Sequence, residues 1–215
     1  MSTTTADRQV GIGFKGFSLR RIFEFGGFFA GAILIAFGAA AIYMGVDGRS
    51  TVRDSLAAEK IVGSDDMSPS GIQEGIEEAG IAGLPGLVIP DRDVAGKEIT
   101  TGADARAFAQ YMRIHALEGS GGLTYAEMGR FATADGNPAG TSDPEAALKD
   151  ESGNPVSNSA RNTWVTATAL TTALNMSFMA EQLALFGLVV GIALLLSGIG
   201  FIVLAWAALH TKRAA

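Results

Sequence analysis

Two long apolar runs, at residues 22–46 and 183–209, constrain this chain more than any other feature of its sequence. A helix needs about 20 apolar residues to cross the hydrocarbon core of a bilayer, and both runs are longer than that. The first run contains a single charged residue, Glu24, close to its start, and the second contains none. The two runs therefore predict two transmembrane helices.

These runs divide the 215 residues into five segments. An N-terminal segment (1–21) precedes the first span (22–46), a long polar segment (47–182) separates it from the second span (183–209), and a short tail (210–215) follows. Helical spacing recurs in the polar segment. We predict a mainly α fold in which two transmembrane helices form an antiparallel hairpin and extend outward into a small helical domain.

The charge distribution predicts which side of the membrane each segment occupies. Basic residues lie before the first run and after the second, at Arg8, Lys15, Arg20, Arg21, Lys212 and Arg213. In residues 47–182 acidic residues outnumber basic ones about two to one. Because positive flanks stay in the cytoplasm, both termini are predicted inside and the acidic domain outside the cell membrane. An acidic domain repels phosphate backbones, so nucleic acid is not a predicted partner.

The first run also resembles an export signal. Arg20 and Arg21 precede apolar residues, and 39–41 supply the small residues of a cleavage site. However, the run continues well beyond the 7–15 residues typical of a signal peptide, and Tyr43 suits the interface at the end of a full span. We therefore interpret the run as a permanent anchor, while cleavage near 39–41 stays an open alternative.

Glu24 has two interpretations. Arg20 and Arg21 lie four and three residues before it, the spacing of a helical salt bridge at the membrane boundary. Alternatively, a carboxylate within a span marks an ion or proton site facing a pore. Its position within one turn of the boundary favours the salt bridge.

Helical patterns recur between the spans. The dipeptide Asp47-Gly48 predicts a break, after which residues 50–62 are helical again. Ser68-Pro69 predicts the start of a short helix that runs through Glu78. Residues 101–118 give the clearest helix, with one buried stripe formed by Ala105, Phe108, Ala109, Met112 and Ala116.

The C-terminal half of the polar segment carries three further signals. Thr124 and Glu127 have the spacing of a capping box, and residues 142–145 predict a short helix in a region rich in turns. No glycine or proline interrupts residues 160–186. The second span is therefore predicted to be the end of one helix of about 50 residues that starts near 159.

Small residues recur within both spans at four-residue spacing. Gly27 and Gly31 form one such pair and Gly187 and Gly191 another. Glycine lets helix backbones approach closely in lipid, where apolar burial gives no drive for association. We expect these glycines to pack helices, either the two spans of one chain or the spans of neighbouring proteins.

The polar segment contains no strong signature of chemistry. His115 and Glu118 have a spacing that metal ligands use, but a single pair supplies too few ligands. Residues 135–146 lack two of the ligands that a calcium loop requires, so Asx turns explain them equally well. With no cysteine, no hydrolase motif and no phosphate-binding loop, the sequence predicts no cofactor, no metal and no enzymatic activity.

The basic stretch FKGFSLRRIF before a span rich in glycine and alanine resembles large-conductance mechanosensitive channels over about thirty residues. That family has a shorter outer loop and a cytoplasmic helical bundle, so no functional residue is carried over. More broadly, the chain resembles uncharacterised two-span bacterial membrane proteins of the actinomycete type. This resemblance implies a location but no activity.

Two functions follow as expectations. The first is a non-enzymatic membrane protein whose outer domain serves assembly, as a scaffold or accessory subunit that binds copies of itself or other membrane proteins. The alternative is a homo-oligomeric channel, with the first span lining the pore and Glu24 near its inner mouth. The number of copies in the assembly distinguishes the two.

Overall fold

The computed structural model describes residues 19–84 and 86–210, and the side chains of 25–84 and 86–207. Within these residues the chain is mainly helical, as the sequence predicts, and forms no β-strand beyond isolated bridges. The α-helices are α1 (Leu19–Ala58), α2 (Gly71–Glu78), α3 (Gly102–Gly119) and α4 (Ser159–His210), and Tyr125–Glu127 forms a 3-10 turn.

The chain divides into two compact units. The terminal unit comprises Met1–Tyr43 and Leu188–Ala215, and the central unit comprises Met44–Gly187. Two helical stretches, Phe25–Ala58 and Ser159–Ala207, are long and apolar enough to cross a membrane. With 52 residues, α4 confirms the prediction of one uninterrupted helix of about 50 residues.

Helix α1 corrects the predicted break at Asp47-Gly48, because it continues through both residues to Ala58. A glycine inside a helix costs only about 1 kcal/mol relative to alanine, so a tertiary contact can outweigh it. Here a Cβ on Gly48 would lie 3.3 Å from the Cβ of Ala184. The glycine thus accommodates a close neighbour on α4.

The core of the central unit surrounds α3. Thr101 caps this helix by accepting a hydrogen bond from the backbone N–H of Asp104 at 3.2 Å, and the helix matches the predicted range to within a residue. The buried face of α3 is wider than the single stripe that the sequence predicts, because Tyr111, Ile114 and Leu117 are buried as well. The core around it also includes Leu56, Ile72, Ile76, Trp164 and Leu174.

Two irregular segments complete the central unit. Residues 61–67 pair with 94–99 through backbone hydrogen bonds, and residues 130–132 pair with 141, 148 and 156–158. The helix predicted at 142–145 is not formed. Asp143 Oδ1 instead accepts the backbone N–H of Glu145 at 2.9 Å. This local hydrogen bond competes with helix formation, which explains the error.

Candidate functional site

The terminal unit contains a seam of glycines between α1 and α4. Gly31, Gly38, Gly191 and Gly198 are all buried. A Cβ added to Gly31 would lie 2.7 Å from the carbonyl oxygen of Gly198, and one added to Gly38 would lie 2.8 Å from that of Gly191. Real Cβ atoms do not approach backbone so closely. The seam therefore depends on the absence of side chains at these positions.

Branched and long aliphatic side chains fill the space over each glycine. The Cγ1 of Ile35 lies at Gly198 and that of Ile42 at Gly191, while Leu195 and Ile202 of α4 lie at the α1 glycines. In the contacting pairs, the residue number on α4 falls as the residue number on α1 rises, from Gly27 with Ala205 to Gly38 with Gly191. On each helix both the glycines and the aliphatic residues recur every seven residues, which matches the period of two packed helices.

The glycines predicted to pack helices have different surroundings. Gly27 lies opposite Ala205, whose Cβ would be 3.0 Å from a Cβ at position 27, and Gly31 and Gly191 belong to the seam. Gly187 is half-buried and belongs to the central unit. The four-residue pairs identified part of the seam, but its actual period is seven.

The predicted charge cluster at the first span lies outside the described side chains. Arg20, Arg21 and Glu24 fall within α1, but the structure describes no side chain before residue 25. Both interpretations of Glu24 therefore remain predictions. The interhelical contacts that the terminal unit does show are those of the glycine seam.

The central unit has an ionic cluster around the buried carboxylate of Glu181. Its side chain is only 10% exposed. Arg53 donates to Glu181 Oε1 from Nε at 3.1 Å, and Arg49 donates to the same oxygen from Nη2 at 3.4 Å. The other oxygen, Oε2, accepts the backbone N–H of Gly102 at 2.7 Å. One carboxylate thus joins α1, α4 and the first residue of α3.

Burial of Glu181 raises its pKa, but the hydrogen bonds from Gly102, Arg53 and Arg49, with the charge of Arg53, lower it by more. The net effect is a pKa below the ordinary value, so the carboxylate stays ionised. Sequence reasoning did not identify this cluster. A signal was present, because Glu181 is the one acidic residue of α4.

An exposed apolar stripe runs along α4 on the central unit. We refer to this set of residues as the outward stripe; its members are Val165, Ala169, Thr172, Met176, Met179, Leu183 and Phe186. They alternate by four and three residues, so they lie on one face of the helix. Met176 and Met179 are more than half exposed, and Phe186 is 66% exposed. Between Arg161 and Gly187 the only charge on α4 is the buried Glu181.

His115 lies between two carboxylates. Its Nδ1 lies 2.8 Å from Glu118 Oε2, and its Nε2 lies 3.2 Å from Asp66 Oδ2. The two carboxylates are on opposite ring nitrogens, so they do not converge on one point. No cluster of three or more potential metal-ligating side chains occurs among the described residues.

The turns around residue 135 use their acidic groups locally. Asp135 Oδ1 accepts from Thr133 Oγ1 at 2.6 Å and from the backbone N–H of Asn137 at 3.2 Å. These hydrogen bonds lower the pKa of Asp135. The geometry is that of an Asx turn.

No protein-family model matches this sequence, and no curated protein or solved structure matches it. Function is therefore argued from the seam, the ionic cluster and the outward stripe.

Proposed function

We propose that this chain is a two-span integral protein of the cell membrane that serves the assembly of a membrane complex and has no enzymatic activity. In this proposal 22–46 and 183–209 cross the bilayer as an antiparallel hairpin. The basic residues of 1–21 and 210–215 keep both termini in the cytoplasm. Residues 47–182 then form an acidic extracytoplasmic domain.

The glycine seam supports the membrane placement. Outside the seam, most large side chains of α1 face outward, including Phe25 and Phe29, which are each 71% exposed. In water, a protein with so many exposed aromatic and aliphatic residues on one unit would aggregate. In lipid they contact acyl chains, while close approach of small residues holds the helices together.

The outward stripe is the observation that carries the assembly function. A helix in water needs polar or charged residues on its free face, but before the second span the stripe presents Val165, Met176 and Met179 there, with Thr172 as its polar member. A partner that covers this face removes apolar surface from water, which favours association. The spacing by four and three residues matches a left-handed coiled coil.

We assign the partner of the stripe to a second copy of the chain. Copies inserted in one membrane share the same orientation, so their α4 helices run parallel and identical stripes meet at the same height. A charged partner would leave its charges unpaired against a face that has none, whereas an identical uncharged stripe matches it. From Val165 to Phe186 the contact would extend over about 32 Å.

Cysteine cross-linking tests this proposal on the full-length protein in membranes. The sequence contains no cysteine, so a single introduced thiol reports one contact. We expect Thr172→Cys to form a disulfide between copies, because equivalent positions in a parallel pair lie within the Cα separation that a disulfide requires. Thr163→Cys, an exposed position on the opposite face of α4, is the matched control and should stay unlinked.

The mass of the protein in nanodiscs completes the test. We expect a small oligomer that dissociates in Ala169→Glu, which places a charge on the stripe, but persists in Ala57→Glu, an exposed site on α1. A monomer, or equal cross-linking at positions 163 and 172, would overturn self-assembly. A monomer that copurifies with another membrane protein would instead assign the stripe to that protein.

No described side chain favours the channel as a second function. Between residues 25 and 46, α1 contains only apolar residues, glycine and Tyr43, so this stretch offers few groups to hydrate an ion. A closed ring of several copies in the mass measurement would nevertheless justify recording currents, with Glu24→Gln as the test variant.

A further inference from the structure

We propose that Arg49, Arg53 and Arg92 of the central unit bind a phosphate group, which a phospholipid headgroup supplies in the membrane. The three side chains line one cavity of about 240 Å³, together with the carboxylate of Glu181 and with Thr101, Ala103, Gln182 and Leu185. The lipid source rests on the proposed membrane placement, whereas the phosphate site itself does not.

The cavity carries an excess of positive charge in an otherwise acidic segment. Glu181 offsets one of the two α1 arginines that contact it, and Asp104 offsets Arg92, whose Nη1 lies 3.2 Å from Asp104 Oδ1. Three guanidinium groups therefore face two carboxylates. Counting these direct contacts alone, the guanidinium groups outnumber the carboxylates by one, and a phosphodiester would supply the missing negative charge.

The arginines retain hydrogen-bond donors for a ligand. Each guanidinium has five N–H groups, and Arg49 and Arg53 direct only Nε and Nη2 toward the same oxygen of Glu181. Within the described residues, the Nη1 groups of both arginines make no hydrogen bond or ion pair. The second oxygen of Glu181 accepts the backbone N–H of Gly102. Arg49 and Arg53 together therefore have more N–H donors than the carboxylate of Glu181 can accept.

Exposure of the arginines makes them accessible to a ligand. The side chains of Arg49, Arg53 and Arg92 are 36%, 47% and 50% exposed. Thr101 and Ala103, which flank the first residue of α3, line the same cavity, and the N-terminal end of a helix adds a partial positive charge. Arginine is the side chain best suited to bind phosphate oxygens in pairs.

Position along the chain favours a lipid as the source of the phosphate. Arg49 lies three residues after the first apolar run, or about 5 Å along the helix, and Arg53 lies about 10 Å along it. The headgroup layer is about 5–8 Å thick on each side of the hydrocarbon core. Leu185, at the start of the second run, adds an apolar wall beside the charged one.

The test measures thermal stabilisation of the full-length protein in detergent by three additions: phosphatidylglycerol, phosphatidylcholine and inorganic phosphate. We expect phosphatidylglycerol to raise the melting temperature more than phosphatidylcholine does. In Arg92→Gln the apparent affinity for phosphatidylglycerol should fall about tenfold, the effect of losing one charge-assisted hydrogen bond. Arg49→Gln is the second test variant, because Arg53 still pairs with Glu181 there.

Arg130→Gln is the matched control, since this arginine lies outside the cavity, and it should change the affinity less than twofold. Stabilisation by phosphatidylglycerol but not by inorganic phosphate assigns the ligand to lipid, and stabilisation by both assigns it to any phosphate. No response to either, or an equal response in wild type and both cavity variants, overturns the site. All three additions are made to protein in detergent, so loss of the response in the cavity variants tests the site independently of the membrane placement.

Discussion

Helices α1 and α4 meet each other in both units, but the contacts are of opposite kinds. In the terminal unit, backbone lies against backbone at Gly31 and Gly198, and aliphatic side chains fit over the glycines. In the central unit the same helices are joined by the ionic cluster at Glu181 and contribute large residues such as Leu174 to a core. Small residues suit packing in lipid, and burial of large ones drives packing in water.

This difference implies that each unit responds to its own class of substitution. Removing volume should damage the central unit, whereas adding volume should damage the terminal unit. Four predictions follow from that contrast, and each pairs a residue at a contact with a similar residue away from it.

The largest effect is expected from truncating the central core. Leu174→Ala should lower the free energy of unfolding by about 2–5 kcal/mol, because the side chain is buried and its loss leaves a cavity. Leu170→Ala, one turn earlier and 49% exposed, should cost less than about 1 kcal/mol. Circular dichroism during denaturation of the purified protein measures both values. Equal costs would mean that the core does not include Leu174.

Adding one methyl group to the glycine seam should have the next largest effect. A Cβ at Gly38 would lie 2.7 Å from the backbone nitrogen of Leu195, so Gly38→Ala forces the helices apart and should cost about 1–3 kcal/mol. At Gly200 no atom lies within 4 Å of such a Cβ. Gly200→Ala should therefore be neutral or gain up to about 1 kcal/mol from helix propensity.

The seam prediction is measured by denaturation in detergent micelles. If Gly38→Ala proved as harmless as Gly200→Ala, the backbone contact between α1 and α4 would not hold the terminal unit together.

The ionic cluster should make stability depend on pH. The pKa of Glu181 is lowered in the folded protein, so its contribution is complete above the ordinary carboxyl pKa of about 4.3 and is lost as the pH falls through the lower folded value. Glu181→Gln should cost about 2 kcal/mol at pH 7 and should flatten the loss of stability below pH 4.3. Glu145→Gln, at an 88% exposed side chain, should leave the unfolding curves at both pH values unchanged. A steeper acid loss in the Glu181 variant would contradict this assignment.

The smallest effect concerns the start of α3. Thr101→Ala removes the side chain that caps Asp104 and should cost about 1 kcal/mol. Ser70 precedes α2 but makes no capping hydrogen bond, so Ser70→Ala should lower the free energy of unfolding by only about 0.3 kcal/mol. Thermal melts of the two variants compare the caps directly. A larger loss at Ser70 would show that the helix starts are assigned wrongly.

Local patterns predicted most of the helices. The absence of glycine and proline from 160–186 predicted a continuous α4, and a cap with a buried stripe predicted α3. Ser68-Pro69 predicted a helix at this place, but α2 begins at Gly71 after Ser70, although Ser68 Oγ does accept the backbone N–H of Gly71 at 3.0 Å. The errors at Asp47-Gly48 and 142–145 arose because local propensity was overridden, once by a tertiary contact and once by side-chain hydrogen bonds.

The candidate sites depended on contacts that lie far apart in sequence. Glu181 is 128 residues from Arg53, and no local pattern relates the two. The seven-residue period of the seam is present in the sequence, but the prediction used the four-residue pairs Gly27–Gly31 and Gly187–Gly191 instead. The outward stripe was equally visible, yet its significance required knowing which face of α4 is free.

In the proposed topology the two apolar runs cross the membrane and residues 47–182 lie outside the cell. Labelling single-cysteine variants with a membrane-impermeant maleimide on intact spheroplasts tests this topology. We expect Ser152→Cys, at an exposed turn, to react on intact spheroplasts and Ser2→Cys to react only after lysis. Labelling of Ser2→Cys but not Ser152→Cys on intact spheroplasts would invert the topology, and equal labelling of both, with the protein in the soluble fraction, would contradict the membrane placement itself.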